Sequence, residues 1–124
     1  MNDVIKLDFP AKPDYILAIR LAVSAVAERA GFCVEDIEDI KVATAEGCML
    51  LLSGEPDSVL ISITVKDGLK IDISCEGRKA EASKDETTEL SRCLLEALVD
   101  RCDFVPAQAA GDEGIEKISF YKKL

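Results

Sequence analysis

Few residues in this chain have the type and spacing to do chemistry. The stretch ATAEGCMLLL, Ala43 to Leu52, is the most informative. It reads as the back half of a helix with one carboxylate, Glu46, among small and apolar residues. A side chain four positions on shares a helix face with the first, and here that position is Leu50. Glu46 is the candidate catalytic base, either beside a cofactor or in the remnant of a site. The usual general base is missing, because the chain has no His; Ser-His-Asp and Cys-His chemistry are thereby excluded. Five cysteines (Cys33, Cys48, Cys75, Cys93, Cys102) form no CxxC pair, so no zinc site is expected. Reduced, buried thiols in a cytoplasmic protein are the natural reading.

The elements that must position Glu46 follow from hydrophobic periodicity. VIKLDF (residues 4–9) is a short strand, ended by Pro10 and Pro13. Asp14 is the expected N-cap of a helix reaching Ala30, with Ile16, Ile19, Val23 and Val26 at helical spacing and Gly31 at its end. A second helix runs from about Val34 to Leu52. Glu35, Asp36, Glu38 and Asp39 suit its positive end; Ile37, Ile40, Thr44, Cys48 and Leu51 form one stripe, and Val42, Glu46, Met49 and Leu50 another, which implies burial on two faces. The period then becomes two. Val59, Ile61, Ile63 and Val65, the turn Lys66-Asp67-Gly68, and Leu69, Ile71, Ile73 and Cys75 make an antiparallel hairpin. Residues 76–89 are polar and read as a mobile loop. A helix from about Thr88 to Arg101 would bury Leu90, Leu94, Ala97 and Leu98. A strand interrupted by Pro106 spans Asp103 to Ala107, and a turn at 111–114 leads to a last strand, Ile115 to Tyr121. Tyr121-Lys122-Lys123 reads as an edge feature that discourages strand pairing.

The order β-α-α-β-β-α-β-β predicts an α+β fold: a two-layer α/β sandwich with a mixed, mostly antiparallel sheet and helices on one face. One domain over residues 1–124 is expected, since this length supports one core. Hydrophobic residues make up 48 % of the chain and aromatics 5 %, so aliphatic side chains must build that core. The net charge of −9 argues against nucleic-acid binding and favours a basic partner surface. No apolar run has membrane-spanning length, and the opening MNDVIKLDFP is unlike a signal peptide.

Residues 9–48 (FPAKPDY, IRLAVS, IEDIKVATAE), the hairpin VLISITVKDGLKIDIS and LSRCLLEALVD resemble one family. The order of elements is similar to the ATPase fold shared by DNA gyrase, histidine kinases and MutL. Within that superfamily the chain is most like the RsbW-type anti-sigma factors, which are also serine protein kinases. The resemblance implies a nucleotide site with three motifs. One helix carries a Glu that activates the nucleophile and, four residues on, an Asn that ligates Mg²⁺ through oxygen. A DxGxG motif follows a strand, its Asp holding the adenine amino group. A GxG at a helix start offers N–H groups to phosphate.

Carried onto this sequence, Glu46 matches the Glu, but the Asn position falls at Leu50, a side chain that binds no metal. The Asp position falls at Cys75, with Gly77 alone left of the glycine pair. Glu86-Thr87-Thr88-Glu89 stand where the phosphate-binding glycines would precede LSRCLLEAL. Three contacts are thus altered independently. Each such loss typically costs about 2–4 kcal/mol, or roughly 30- to 1000-fold in affinity. The expectation is a degenerate domain without cofactor or metal, in which Leu50 fills space once held for both; the alternative is a surviving Mg-ATP-dependent kinase. By the same resemblance Lys12, Asp14 and Arg20 lie on the partner-binding surface. The implied partners are a sigma factor or an anti-anti-sigma protein and a second copy of the chain. The acidic start of the second helix could also meet a basic partner helix.

Overall fold

The two-residue alternation of VLISITV and LKIDIS becomes a central hairpin, β2 (Ser58–Val65) and β3 (Gly68–Glu76), in the computed structural model, which describes residues 3–80 and 86–124. The turn closes with Asp67 at φ 53° and Gly68 at φ 156°. β1 (Asp3–Pro10) adds to β2, β5 (Ile115–Lys123) adds to β3, and β4 (Arg101–Pro106) adds to β5. The sheet order is β1-β2-β3-β5-β4, and each neighbouring pair is antiparallel.

Register explains the core. Across the strands, Ile5, Ile63, Ile71, Phe120 and Cys102 stand in one row, and Leu7, Ile61, Ile73, Ile118 and Phe104 in the next. Alternate residues of a strand share a face, so these two rows put the apolar set on one side. The other side carries Lys6, Ser62, Asp72, Ser119 and Asp103 in register. Three helices cover the apolar side: α1 (Ile16–Ala30), α2 (Val34–Leu52) and α3 (Glu86–Leu98). α2 contributes most to the core, burying Ile40, Ala43, Thr44, Gly47, Cys48, Leu50 and Leu51. A Cβ at Gly47 would stand 2.8 Å from the Ile73 methyl, so glycine permits α2 its close approach to the sheet. Thr44, fully buried, donates its hydroxyl to Ile40 O at 2.7 Å, which satisfies the only polar side chain in that stripe.

Several expectations need correction. Asp14 does not cap α1. Pro13–Tyr15 form a 3-10 turn, Tyr15 takes the N-cap position, and Asp14 stays exposed. The 3-10 turn puts Asp14 one residue before the N-cap, and no side chain caps the helix start. α3 begins at Glu86 and turns its other side inward. Leu95 and Val99 are buried, whereas Leu90 (70 % exposed), Leu94 and Ala97 face outward. The strand after it starts at Arg101, with its irregularity at Val105/Pro106. Of the polar loop 76–89, residues 81–85 lie outside the described residues.

Lys122 is not an edge device, because β5 lies between β3 and β4. Its ammonium donates to Leu98 O at 2.8 Å and lies 3.7 Å from Asp36 and 3.6 Å from Asp39. A cation therefore sits where the C-terminal end of α3 meets the acidic start of α2, favoured by the negative end of the α3 dipole and by the two α2 carboxylates. Those two aspartates, which suit the positive end of α2 and could also meet a basic partner helix, meet the chain's own lysine. Lys122→Met keeps the stem but removes the charge. It should lower stability in urea unfolding by about 1–2 kcal/mol; an unchanged midpoint would show that the cation holds neither helix.

Candidate functional site

Glu46 projects from the middle of α2, half-buried, toward α3. Its Oε2 accepts a hydrogen bond from Ser91 Oγ at 2.9 Å. The carboxylate is therefore already satisfied by a hydroxyl of the chain itself. One turn further along α2, Leu50 is buried at 8 % exposure and belongs to the apolar core. Mg²⁺ is held by oxygen ligands in near-octahedral geometry, and this turn presents hydrocarbon. Among the described residues no group of three or more Cys, Asp or Glu is assembled that would hold a metal ion.

Cys75 and Gly77 lie at the end of β3, beside the loop that follows α2. Cys75 Sγ is 3.7 Å from Glu116 O. Burial raises its pKa, the adjacent Arg78 guanidinium offsets part of that, and Glu116 adds to the rise. The thiol is thus a protonated, weak partner where the family motif has a carboxylate. Gly77 has φ 76°, a left-handed conformation that glycine adopts without strain, and a side chain there would overlap Asp57.

The residue between the two motif glycine positions is Arg78, and the sequence reading did not single it out. Its Nε and Nη2 donate to Asp112 at 3.2 and 2.7 Å, with a further Nη2 bond to Oδ1 at 2.9 Å, and Nη1 donates to Ile115 O at 3.0 Å. Asp112 is only 4 % exposed. A Cβ on Gly54 would overlap the guanidinium, so glycine in the loop after α2 makes room for it. Gly54 O also accepts the N–H groups of Lys79 and Ala80. Arg78 therefore ties three segments together: the loop after α2, the end of β3 and the β4–β5 turn. Its partners stand 34 and 37 positions away in sequence, and no local pattern marks them. Ser91 escaped notice for the same reason: it is one serine in a helix until α3 turns it toward Glu46.

At the start of α3, Glu89 lies in the first turn, where an acidic side chain complements the helix dipole and opposes a phosphate. On the partner-binding positions the structure separates the three residues. Lys12 and Asp14 are exposed in the approach to α1; Arg20 is half-buried on α1. The Arg20 Nε is enclosed with no hydrogen-bond acceptor among the described residues. Beside it on α1, Leu17 and Leu21 are 63 % and 58 % exposed.

The cysteines divide in two. Cys33 and Cys93 are exposed, contrary to the expectation of buried thiols, while Cys48 is buried and Cys75 and Cys102 are half-buried. Burial pushes the Cys48 pKa up to about 12, and burial with Glu96 and Asp103 pushes Cys102 to about 11 against the lowering effect of Arg92.

A fold of this order, with three helices on one face of an antiparallel sheet, defines a histidine-kinase-like α/β sandwich, and the comparisons give its family. Over 122 residues the chain is 34 % identical to the serine-protein kinase RsbW of Listeria monocytogenes serotype 4a, covering 81 % of this chain and 78 % of that protein. The RsbW of Bacillus pumilus is 37 % identical over 83 residues, 60 % of this chain and 51 % of that relative. That of Listeria innocua is 52 % identical over 46 residues, 37 % of this chain and 29 % of its own length. No protein-family model matches the chain. The chain belongs to the RsbW family of serine-protein kinases. Among the described residues no helix is long and apolar enough to cross a membrane.

Two outcomes test the site as described. Arg78→Ala takes the cation from a nearly buried carboxylate that keeps the Gly114 N–H, and should cost about 3 kcal/mol; adding Asp112→Ala should return part of that loss, whereas simple additivity would deny the coupling. With a thiol-reactive disulfide reagent at pH 8, Cys33 and Cys93 should react first. Cys48 should react only after denaturant is added, because at that pH about one thiol in ten thousand is ionised.

Proposed function

We propose that this chain is a regulatory protein-binding module of the anti-sigma type that works without nucleotide. It acts in the cytoplasm by occupying a partner's surface, a sigma factor or an anti-anti-sigma protein, and it pairs with a second copy of itself. The observation that carries this reading is the buried Leu50 one turn after Glu46: the position from which the family's metal ligand projects is part of the hydrocarbon core. Cys75 in place of an adenine-binding carboxylate and acidic residues at the start of α3 add to it. The binding surface is the approach to α1, where Lys12 and Asp14 are exposed and Arg20 Nε lacks an acceptor beside exposed Leu17 and Leu21.

One observation favours a second reading, a kinase that keeps Glu46 as base. A serine hydroxyl, Ser91 Oγ, already donates to that carboxylate, so the group is placed to accept a hydroxyl proton. Thermal unfolding with and without millimolar Mg-ATP separates the two. The module should show no shift; a ligand at about 100 times its Kd would add about 2.7 kcal/mol, and such a gain would restore the kinase. Capture of a sigma factor by the immobilised chain, weakened at least about tenfold by Arg20→Ala, is the positive result expected; capture unaffected by that change would move the binding surface off α1.

A further inference from the structure

The helices cover one face of the sheet and leave the other open. The chain carries a net charge of −9, yet this open face is not acidic. Among the described strand residues, Lys6, Lys70, Arg101, Lys117 and Lys123 stand on it by register, against Asp8, Asp72, Glu76 and Asp103. The whole excess of acid therefore lies elsewhere, on the helical layer and the loops. Lys6, Lys70, Arg101 and Lys117 are exposed, and none of the four is in an ion pair among the described residues. On the helical side Lys41 and Lys122 do have acidic partners. Asp72, the acid nearest the middle of the open face, accepts a hydrogen bond from Ser119 Oγ.

Two hollows, of about 280 and 290 Å³, are sunk in this face. Lys70 and Arg101 flank the first, and Lys6 and Lys117 flank the second. Ser119 lines one and Asp72 the other, so their hydrogen bond joins the two floors. Tyr121 is a fixed wall of the first hollow. Its hydroxyl donates to Asp67 O at 3.0 Å. Its ring lies where a Cβ on Gly68 would come within 2.9 Å, so glycine at the turn makes room for it. The Arg101 guanidinium stands 5.7 Å from the centroid of that ring, on the strand beside it.

Together the hollows reach across all five strands, from Lys6 on β1 to Arg101 on β4. Neighbouring strands are about 4.8 Å apart, which makes a trough about 19 Å long. An extended chain rises about 3.3 Å per residue, so about six residues cross it. Its unpaired cations select carboxylates. The acidic helical layer does not forbid them, because it lies beyond the thickness of the sheet and charge is screened over about 8 Å at physiological ionic strength. A single-stranded nucleic acid is the other extended polyanion. It is favoured by a row of aromatic stacking platforms, and Tyr121 is the single aromatic side chain on this face among the described residues.

We propose that the open face of the sheet is a docking site for an acidic, extended segment of a partner protein, laid across the strands with its carboxylates on Lys6, Lys117, Lys70 and Arg101. α1 is on the opposite side of the sheet, so this segment and a partner held at α1 are bound together without competing.

A hexaglutamate peptide is the probe. Titrated into the isotope-labelled full chain at about 0.15 M salt, it should shift the backbone NMR signals of Lys70, Lys117, Ser119 and Tyr121 and leave those of α1 in place, with a Kd below about 1 mM. Raising the salt to about 1 M, where screening acts over about 3 Å, should weaken it. The double reversal Lys70→Glu with Lys117→Glu should weaken binding at least about tenfold. Both side chains are exposed, and circular dichroism checks that the variant is folded. Absence of shifts at several millimolar peptide, shifts gathered on α1, or binding indifferent to the double reversal would each overturn the site. Tighter binding of a thymidine hexanucleotide on the same strands would replace the protein segment with nucleic acid. Capture of a sigma factor through Arg20 is untouched by any of these results.

Discussion

The close seating of α2 on the sheet is the constraint on which the rest depends. Gly47 leaves no side chain between the helix and Ile73, so the helix axis is drawn onto β3 and β5. Once α2 is seated there, its remaining positions have no freedom. Cys48 and Leu51 fall into the core, Leu50 is enclosed on the next face, and Glu46 is presented to α3. A helix buried on several sides cannot rotate to offer different residues to a ligand without losing aliphatic contacts, and each large buried side chain is worth about 1.5–3 kcal/mol. The chemistry of the turn Glu46 to Leu50 is therefore set by packing.

Around that helix the chain satisfies its polar groups with its own side chains. Ser91 meets Glu46, Arg78 meets Asp112 and the Ile115 carbonyl, and Lys122 meets Leu98 O beside two aspartates of α2. A nucleotide site needs polar groups held unsatisfied until the ligand arrives. Here internal bonds join α2, α3, β3 and the β4–β5 turn. Among the described residues the buried polar atom left without an acceptor, Arg20 Nε, is on α1, away from these bonds and next to exposed leucines.

The sheet was legible because its pattern is strict. Alternating Val59-Ile61-Ile63 and Leu69-Ile71-Ile73 permit one register with a buried face, and a shift by one residue would expose every isoleucine. α2 was legible for the same reason: its apolar stripe is continuous. α3 was not. Leu90, Leu94, Ala97 and Leu98 make one plausible inner face, while Ser91, Leu95, Leu98 and Val99 make another. Both obey helical spacing, and the choice between them belongs to α2 and β4, against which the helix packs. Phe104 takes Arg92 over its ring at 4.3 Å, and Glu46 takes Ser91.

By itself, then, the sequence determined the elements, the buried face of each strand and the stripe of α2. These are local matters of period and residue type. Tertiary structure alone decided the inner face of α3, the interior place of β5, the partners of Lys122, the Ser91–Glu46 bond and the Arg78 fork. Each of those joins residues tens of positions apart, and periodicity, which compares near neighbours, carries no information about which distant segments a fold brings together.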